Sequence, residues 1–326
     1  MIIILKDIDK KILRELLIDG RIDFTALAKK LNVTSKTVWN RYKILKTNKV
    51  IIGATTHVNY KKCYGIFTVF SVKLPPNQND NVVENIQKLP KVYTVSKGLK
   101  NDELIVGITV ENINEIEIVR NTLSSVTLSD KITSEIWLEI KNIPENLKIF
   151  AVKKQKQPNI ENKINNKKIT YYKEIKLDKI DFKLIDLLSI DGRMSFSKIS
   201  RKIGKSVDTI IKRYTKLVNH NILKVVIQIN PIEIGYKGWI IFNLSFSAKF
   251  LLQDKIEEII KIPDIIHLVK TKGLFDIVVY AFVRDIDQLF EIQKRIIGIN
   301  GLNNFEIRNN EILDTWPTPK QCKSTF

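Results

Sequence analysis

The chain has 326 residues, 44% of them apolar, and a formal net charge of +19. That length exceeds one ordinary domain, so two to four domains with proper cores are expected. Two distant cysteines, Cys63 and Cys322, and three histidines leave no disulfide framework or short-range metal cluster to expect, and no cofactor motif is present.

The longest apolar run, Gly238–Leu252, is broken by Asn243, Ser245, Ser247 and Lys249, which argues against a membrane span. The opening MIIILKDIDKK has too short an apolar run for a secretory signal, so the expectation is a cytoplasmic protein.

In chain order, Ile8, Ile12, Leu13, Leu16 and Leu17 recur at helical spacing, and Gly20 stands where a C′ glycine would stop that helix. Leu27, Ala28 and Leu31 share one face of a short second helix with Asp23 as its N-cap. Asn32–Val33 reads as a turn, and Thr34 caps a third helix running to about Lys46. Three short helices with a tight turn before the last form the helix-turn-helix plan, which sets its final helix in the DNA major groove.

Strand-like runs follow: VIIGATTHV, IFTVFSVKL, VYTVSKGL, ELIVGITV and KITSEIWLEI, with helices expected over Asn81–Leu89 and Ile113–Leu123. The order β-α-β-β-α-β is the ferredoxin-like plan. Its helices cover one face of the sheet. Alternation at Phe67/Phe70 and Trp239/Phe242 predicts that the other face meets a second sheet. Ala151–Lys176, rich in Lys, Asn and Gln and without hydrophobic period, is expected to be a flexible linker.

Everything before the linker then recurs. At an offset of 172 residues, Ile8–Ile51 aligns with Ile180–Leu223 without a gap, and IDGR occurs at Ile18–Arg21 and again at Ile190–Arg193. Copy two repeats each element: a helix over Ile180–Leu188, a stop at Gly192, a cap at Ser195, a turn at Gly204–Lys205 and a third helix capped by Ser206. Its sheet half repeats too, with KGWIIFNLSF, IIHLVKTKG, FDIVVYAFV and NNFEIRNNEIL, and with helices near Gln253–Ile262 and Ile286–Ile297. Such a period is a domain duplication, far longer than a solenoid repeat. The α+β division is a helix-turn-helix domain at 1–52, a ferredoxin-like domain at 53–150, the linker at 151–176, a second helix-turn-helix at 177–224 and a second ferredoxin-like domain at 225–326.

Charge follows the same division. Residues 1–49 carry +7, 151–177 carry +6 and 178–224 carry +6, while 50–150 and 225–326 are each neutral. Surplus confined to the helical units and the linker suits double-stranded DNA, whose condensed counterions Lys and Arg displace.

On the first third helix Val38, Tyr42 and Leu45 face the core, which turns Ser35, Lys36, Trp39, Asn40 and Lys43 outward. Asn40 is a candidate for adenine, and Thr37 for either a phosphate or the helix start. Trp39 is either a groove contact or a core residue. Arg41 and Arg213 are either DNA contacts or structural ion pairs. Thr209, Lys212 and Lys216 complete the candidate DNA-binding set in copy two. There Asp208 stands for Lys36 and Ile211 for Trp39, so the two helices should not prefer identical half-sites.

The opening IDKKILRELLIDGR, the helix VTSKTVWNRYKIL, the strand VIIG and the neutral βαββαβ half resemble the Lrp/AsnC (feast/famine) transcription regulators, and copy two fits equally. The resemblance covers nearly everything outside the linker. It implies a sequence-specific, nucleoid-associated regulator in which the two sheet domains pair within one chain, with further homo-oligomers beyond that. It also implies an amino-acid effector near the family's Gly-x-x-Asp turn, which points to Gly273 and Asp276 in copy two and to Gly98 and Asp102, one residue further apart, in copy one.

Two alternatives stand beside this reading. One is a DNA-compacting architectural protein without a specific operator. The other is an enzyme: siroheme decarboxylases look like paired modules of this type, and would need a tetrapyrrole pocket supplied with His and Arg. His57 is expected outside the strand pair and His267 as a core or interface histidine. No Walker A, GxGxxG, GxSxG or HExxH motif occurs, so a non-enzyme is expected.

Overall fold

The computed structural model describes residues 4–75, 81–97, 102–150, 176–310 and 312–318. Of the expected linker, only Lys176 falls among them.

The first helical unit comprises α1 (Asp7–Ile18), α2 (Phe24–Leu31) and α3 (Ser35–Thr47). Its caps are the ones that the sequence indicates. Asp23 accepts from the Thr25 and Ala26 amides, and Thr34 accepts from the Thr37 amide. Asn32 closes α2 in the left-handed region at φ 53°. After β1 (Ile51–Val58) and the short turn α4 (Tyr60–Cys63) come β2 (Ile66–Lys73), α5 (Val82–Gln87), β3 (Val92–Lys97), β4 (Glu103–Val110), α6 (Asn114–Thr127) and β5 (Ile132–Asn142).

Copy two repeats the plan. It runs α7 (Lys179–Ile190), α8 (Phe196–Ile203), α9 (Val207–Asn219), β6 (Leu223–Ile229), β7 (Gly238–Phe246), α10 (Leu252–Ile259), β8 (Ile265–Lys272), β9 (Ile277–Val283), α11 (Ile286–Ile297) and β10 (Leu302–Asn310).

The strand that leaves each helical unit pairs with its counterpart from the other copy. β1 and β6 form an antiparallel two-stranded ribbon, with Ala54 opposite Ile227 and Thr55 opposite Val226. Each helical core accordingly includes residues of the other copy. Ile227 and Ile229 join the core of α1–α3, while Ala54 joins that of α7–α9.

The two IDGR glycines sit at this crossing, and here the sequence expectation needs correcting. Neither adopts the left-handed conformation of a helix-stopping C′ residue. Gly20 donates its amide to Val225 O at 2.8 Å, and a Cβ there would lie 2.6 Å from the Val226 carbonyl carbon. Gly192 donates to Ala54 O at 2.8 Å, and a Cβ there would lie 3.0 Å from the Ala54 carbonyl carbon. Each glycine is present because a helix end meets the other copy's strand at backbone contact.

The remaining strands form one eight-stranded sheet in the order β10-β7-β9-β8-β5-β2-β4-β3. The two ferredoxin-like halves are therefore joined edge to edge, through antiparallel β5 and β8 with Trp137 opposite Thr271, where facing sheets were expected. β5 and β8 are each an edge of their own half, and joining them satisfies two rows of unpaired backbone groups. Helices cover one face: Phe70, Val106 and Leu123 are buried on the α5/α6 side, and Phe242, Val279 and Ile292 on the α10/α11 side.

The sheet curls toward its uncovered face, bringing Glu103 of β4 within 3.4 Å of Arg308 on β10 although the two strands lie far apart in the sheet. A cavity of about 2070 Å³ remains between that face and the β1–β6 ribbon.

Candidate nucleic-acid interface

α3 and α9 are held by matched interiors. Val38 and Leu45 are buried in α3, as are Ile210 and Leu217 in α9. That rotation exposes Lys36, Trp39, Asn40 and Lys43 on α3, and Asp208, Ile211, Lys212 and Thr215 at the corresponding positions of α9. Lys36, Lys43 and Lys212 make no ion pair among the described residues. Their charge is available to a polyanion.

Trp39 is 47% exposed and leans on Phe24 and Tyr42, with ring centroids at 5.7 and 6.4 Å, while the Lys43 ammonium lies 5.2 Å from its ring centre. Both halves of the sequence expectation for this residue are thus realised, one face packed and one open.

The arginines of these helices have a different task. Arg41 donates through Nε to Asp9 Oδ1 at 2.6 Å and through a second nitrogen to Asp9 Oδ2, and Asp9 is 1% exposed. Arg213 donates to Asp178 and Asp181, each at 2.8 Å, and Lys216 stands 3.6 Å from Asp181. The hydrogen bonds to Asp9 and to Asp178 hold the two guanidinium groups above their ordinary pKa. Of the two roles open to Arg41 and Arg213, the structure gives them the ion pair that fixes the third helix to the first. Thr37 and Thr209 likewise belong to helix starts, each hydroxyl 2.8 Å from the capping Thr34 or Ser206 hydroxyl.

Sequence reasoning missed the arginines of the IDGR stretches. Arg21 reaches across to copy two, donating to Gly192 O at 2.7 Å and Met194 O at 3.0 Å. Its guanidinium lies over Phe196 at 4.3 Å and Tyr214 at 5.3 Å. Arg193 does the reverse, lying over Phe24 at 4.6 Å and Tyr42 at 5.5 Å. The signal was present in the sequence: each Arg is identical at the 172-residue offset, and so is its aromatic target.

Of the loop residues expected to meet an effector, Gly98 lies outside the described residues. Asp102 stands 3.6 Å from Lys73. Asp276 accepts from the Phe246 amide at 2.8 Å, and its own backbone bridges Thr271 and Leu244, which holds the β8–β9 turn. Gly273 packs its exposed backbone beside Ser134 and Glu135. These residues are brought together as a turn.

The cavity draws on other residues. His57, expected outside the strand pair, lies in β1 and shares the cavity wall with His267 of β8. His267 Nδ1 is 2.7 Å from Asn142 Oδ1, so this nitrogen carries the proton. Burial pushes His57 down to about 4, with Lys224 adding to the shift, and pushes His267 down to about 3, with His57 adding. Burial also raises the Glu135 carboxyl, against the pull of Arg308. Arg21 and Tyr214, from the crossing of the helical units, reach the same wall.

Two trihelical units with open basic third helices, each leading into a βαββαβ half, define a DNA-binding transcription regulator of the helix-turn-helix class. The AsnC-type helix-turn-helix domain model matches residues 5–46 and 177–218. An HTH-type transcriptional regulator of Pyrococcus abyssi, itself uncharacterized, is 30% identical over 142 residues, covering 43% of this chain and 89% of that protein. The regulator Ptr1 of Methanocaldococcus jannaschii is 30% identical over 130 residues, covering 38% of this chain and 87% of its own. The chain belongs to the Lrp/AsnC family of helix-turn-helix transcriptional regulators. Its two-module fold is shared with a solved structure of the siroheme decarboxylase NirDL, at a TM-score of 0.61 and 10% identity, covering 98% of this chain and 95% of that one. No helix among the described residues is long and apolar enough to cross a membrane.

Proposed function

We propose that the chain recognises an operator of two unlike half-sites, using α3 and α9 as a pair within one polypeptide. The observation that supports this most is the contrast between matched scaffolds and unmatched surfaces. The caps, ion pairs and buried faces of α3 and α9 correspond, whereas Lys36, Trp39, Asn40 and Lys43 face Asp208, Ile211, Lys212 and Thr215 at equivalent positions. Binding-site selection with the full chain tests it. The expected product is a bipartite, non-palindromic site with half-site centres about one helical turn or a multiple apart, roughly 34–36 Å per turn. Absence of any enriched sequence, with broad genomic coverage, would instead favour the architectural alternative.

Effector control, if the family's habit extends to this chain, fits the cavity better than the Gly273–Asp276 turn, whose polar groups are already engaged. The cavity borders Arg21 and Tyr214, so an occupant there touches the crossing of the two helical units. Its wall carries Glu103, Glu135, Glu139 and Glu306 against Arg308 and Lys73, which disfavours a polycarboxylated tetrapyrrole and supports a non-enzymatic reading. Titration with iron-uroporphyrin is expected to produce no shifted Soret band. An amino-acid panel read by calorimetry and by DNA affinity identifies or dismisses an effector.

A further inference from the structure

In most two-unit DNA readers the distance between recognition helices is set by whatever joins the units. Here the covalent connection runs through residues 151–176 and could reach roughly 85 Å if extended, so it imposes no spacing. The reciprocal contacts at the two IDGR stretches are a different kind of connection. Arg21 stacks on Phe196 and Tyr214, the aromatic pair that packs α8 on α9 with ring centroids 5.2 Å apart. Arg193 stacks on Phe24 and Tyr42, the equivalent pair between α2 and α3, 5.1 Å apart. Each arginine leaves the end of its own first helix and lands on the aromatic platform of the other unit's recognition helix.

We propose that Arg21 and Arg193 are positioning residues that set the spacing and phase of α3 relative to α9. This rests on the proposed paired reading of DNA and deepens it. The chemistry suits the task, because a guanidinium is planar and can stack and donate at once, which an ammonium cannot. Donation by Arg21 to Gly192 O and Met194 O adds direction to the stack. Arg193 lacks that addition: its Nη1 is buried without a hydrogen-bond partner among the described residues. The clasp is therefore unequal, and Arg21 carries more of it. Nothing else on α2, α3, α8 or α9 spans the two units with comparable geometry; the ribbon β1–β6 sets the first helices and leaves the recognition helices to these side chains.

The test reads spacing directly. With Cys63 and Cys322 replaced by Ser, spin labels at Thr47→Cys and Asn219→Cys report the distance between the exposed ends of α3 and α9 in the full chain without DNA. A narrow distribution is expected for the parent and a broadening of about twofold or more for Arg21→Met/Arg193→Met, with Arg21→Met alone broader than Arg193→Met alone. Methionine keeps the apolar packing, and Arg21→Lys, which keeps charge and fold, should broaden it too. A double variant with the parental width overturns the proposal.

A second arm uses the selected operator with about 5 bp inserted between half-sites, half a turn. The parent should lose roughly tenfold or more in affinity and the double variant less than about threefold, a gap of about 0.7 kcal/mol. Equal losses overturn the spacing role. Parent protein that binds no duplex at all refutes the DNA reading, while the distance distribution still decides the clasp.

Discussion

Asp9 accepts both arms of Arg41 in a nearly water-free position, and this one pair decides how a basic helix divides its charges. The sequence left Arg41 open between DNA and an ion pair because its partner lies 32 residues away, and no local spacing rule reaches that far. Lys36 and Lys43 were legible because outward position follows from the 3.6-residue period alone. The two kinds of cation should separate cleanly on mutation. Arg41→Ala leaves Asp9 buried and uncompensated and should cost about 3 kcal/mol in urea unfolding. Lys43→Ala should leave stability within about 0.5 kcal/mol and reduce the slope of log affinity against log salt by about 0.9.

The cavity histidines give a second residue-scale test. Both are held neutral in the fold, below an ordinary value of about 6.5. As pH falls through that value the unfolded chain gains protons that the fold refuses, so stability should fall from about pH 6.5 toward pH 4. Water in the cavity softens the cost to on the order of 1 kcal/mol per histidine at pH 5. His57→Gln/His267→Gln should flatten the urea midpoint between pH 7 and 5. An unchanged slope there would mean that both rings protonate freely in the fold.

At the scale of elements, helices were readable and strand partners were not. Caps at Asp23, Thr34, Ser195 and Ser206 are local signals, and each forms as its residue type suggests. The pairing of β1 with β6, and of β5 with β8, joins residues more than a hundred positions apart, and alternation tells only which face is apolar. The misreading of Gly20 has the same origin: a glycine after a helix looks like a stop until the strand it touches is known. The left-handed stops are elsewhere, at Asn32 and at Gly204 with φ 75°. Alanine should tell the two glycine roles apart. Gly204→Ala has open space around its Cβ and should cost only the left-handed penalty, about 1 kcal/mol. Gly20→Ala drives a methyl into the Val226 backbone and should cost about 3 kcal/mol, unfolding the crossing before the sheet.

For the whole molecule, duplication has kept the scaffold and let the reading surfaces drift, which is open only to a chain carrying both copies. A two-fold dimer of one module must present the same helix twice, so its operator tends to a palindrome. Here Asp208 replaces Lys36 in the first turn of the recognition helix and repels the phosphates that Lys36 attracts. Ile211 replaces Trp39 with a smaller apolar side chain. Converting α9 toward α3 by Asp208→Lys/Ile211→Trp/Lys212→Asn tests whether these positions carry the difference. Phe196 and Tyr214 already supply the platform on which Trp39 rests in copy one, with ring spacing within 0.1 Å of the equivalent pair. Losing an acid from a helix N-terminus should cost under about 1 kcal/mol, so the variant should fold. Binding-site selection with it should return a site closer to a palindrome, both halves resembling the one read by α3. The salt slope should steepen by about 0.9, since one phosphate contact is gained at position 208. Selection that returns the parental asymmetric site would place the specificity of copy two outside α9.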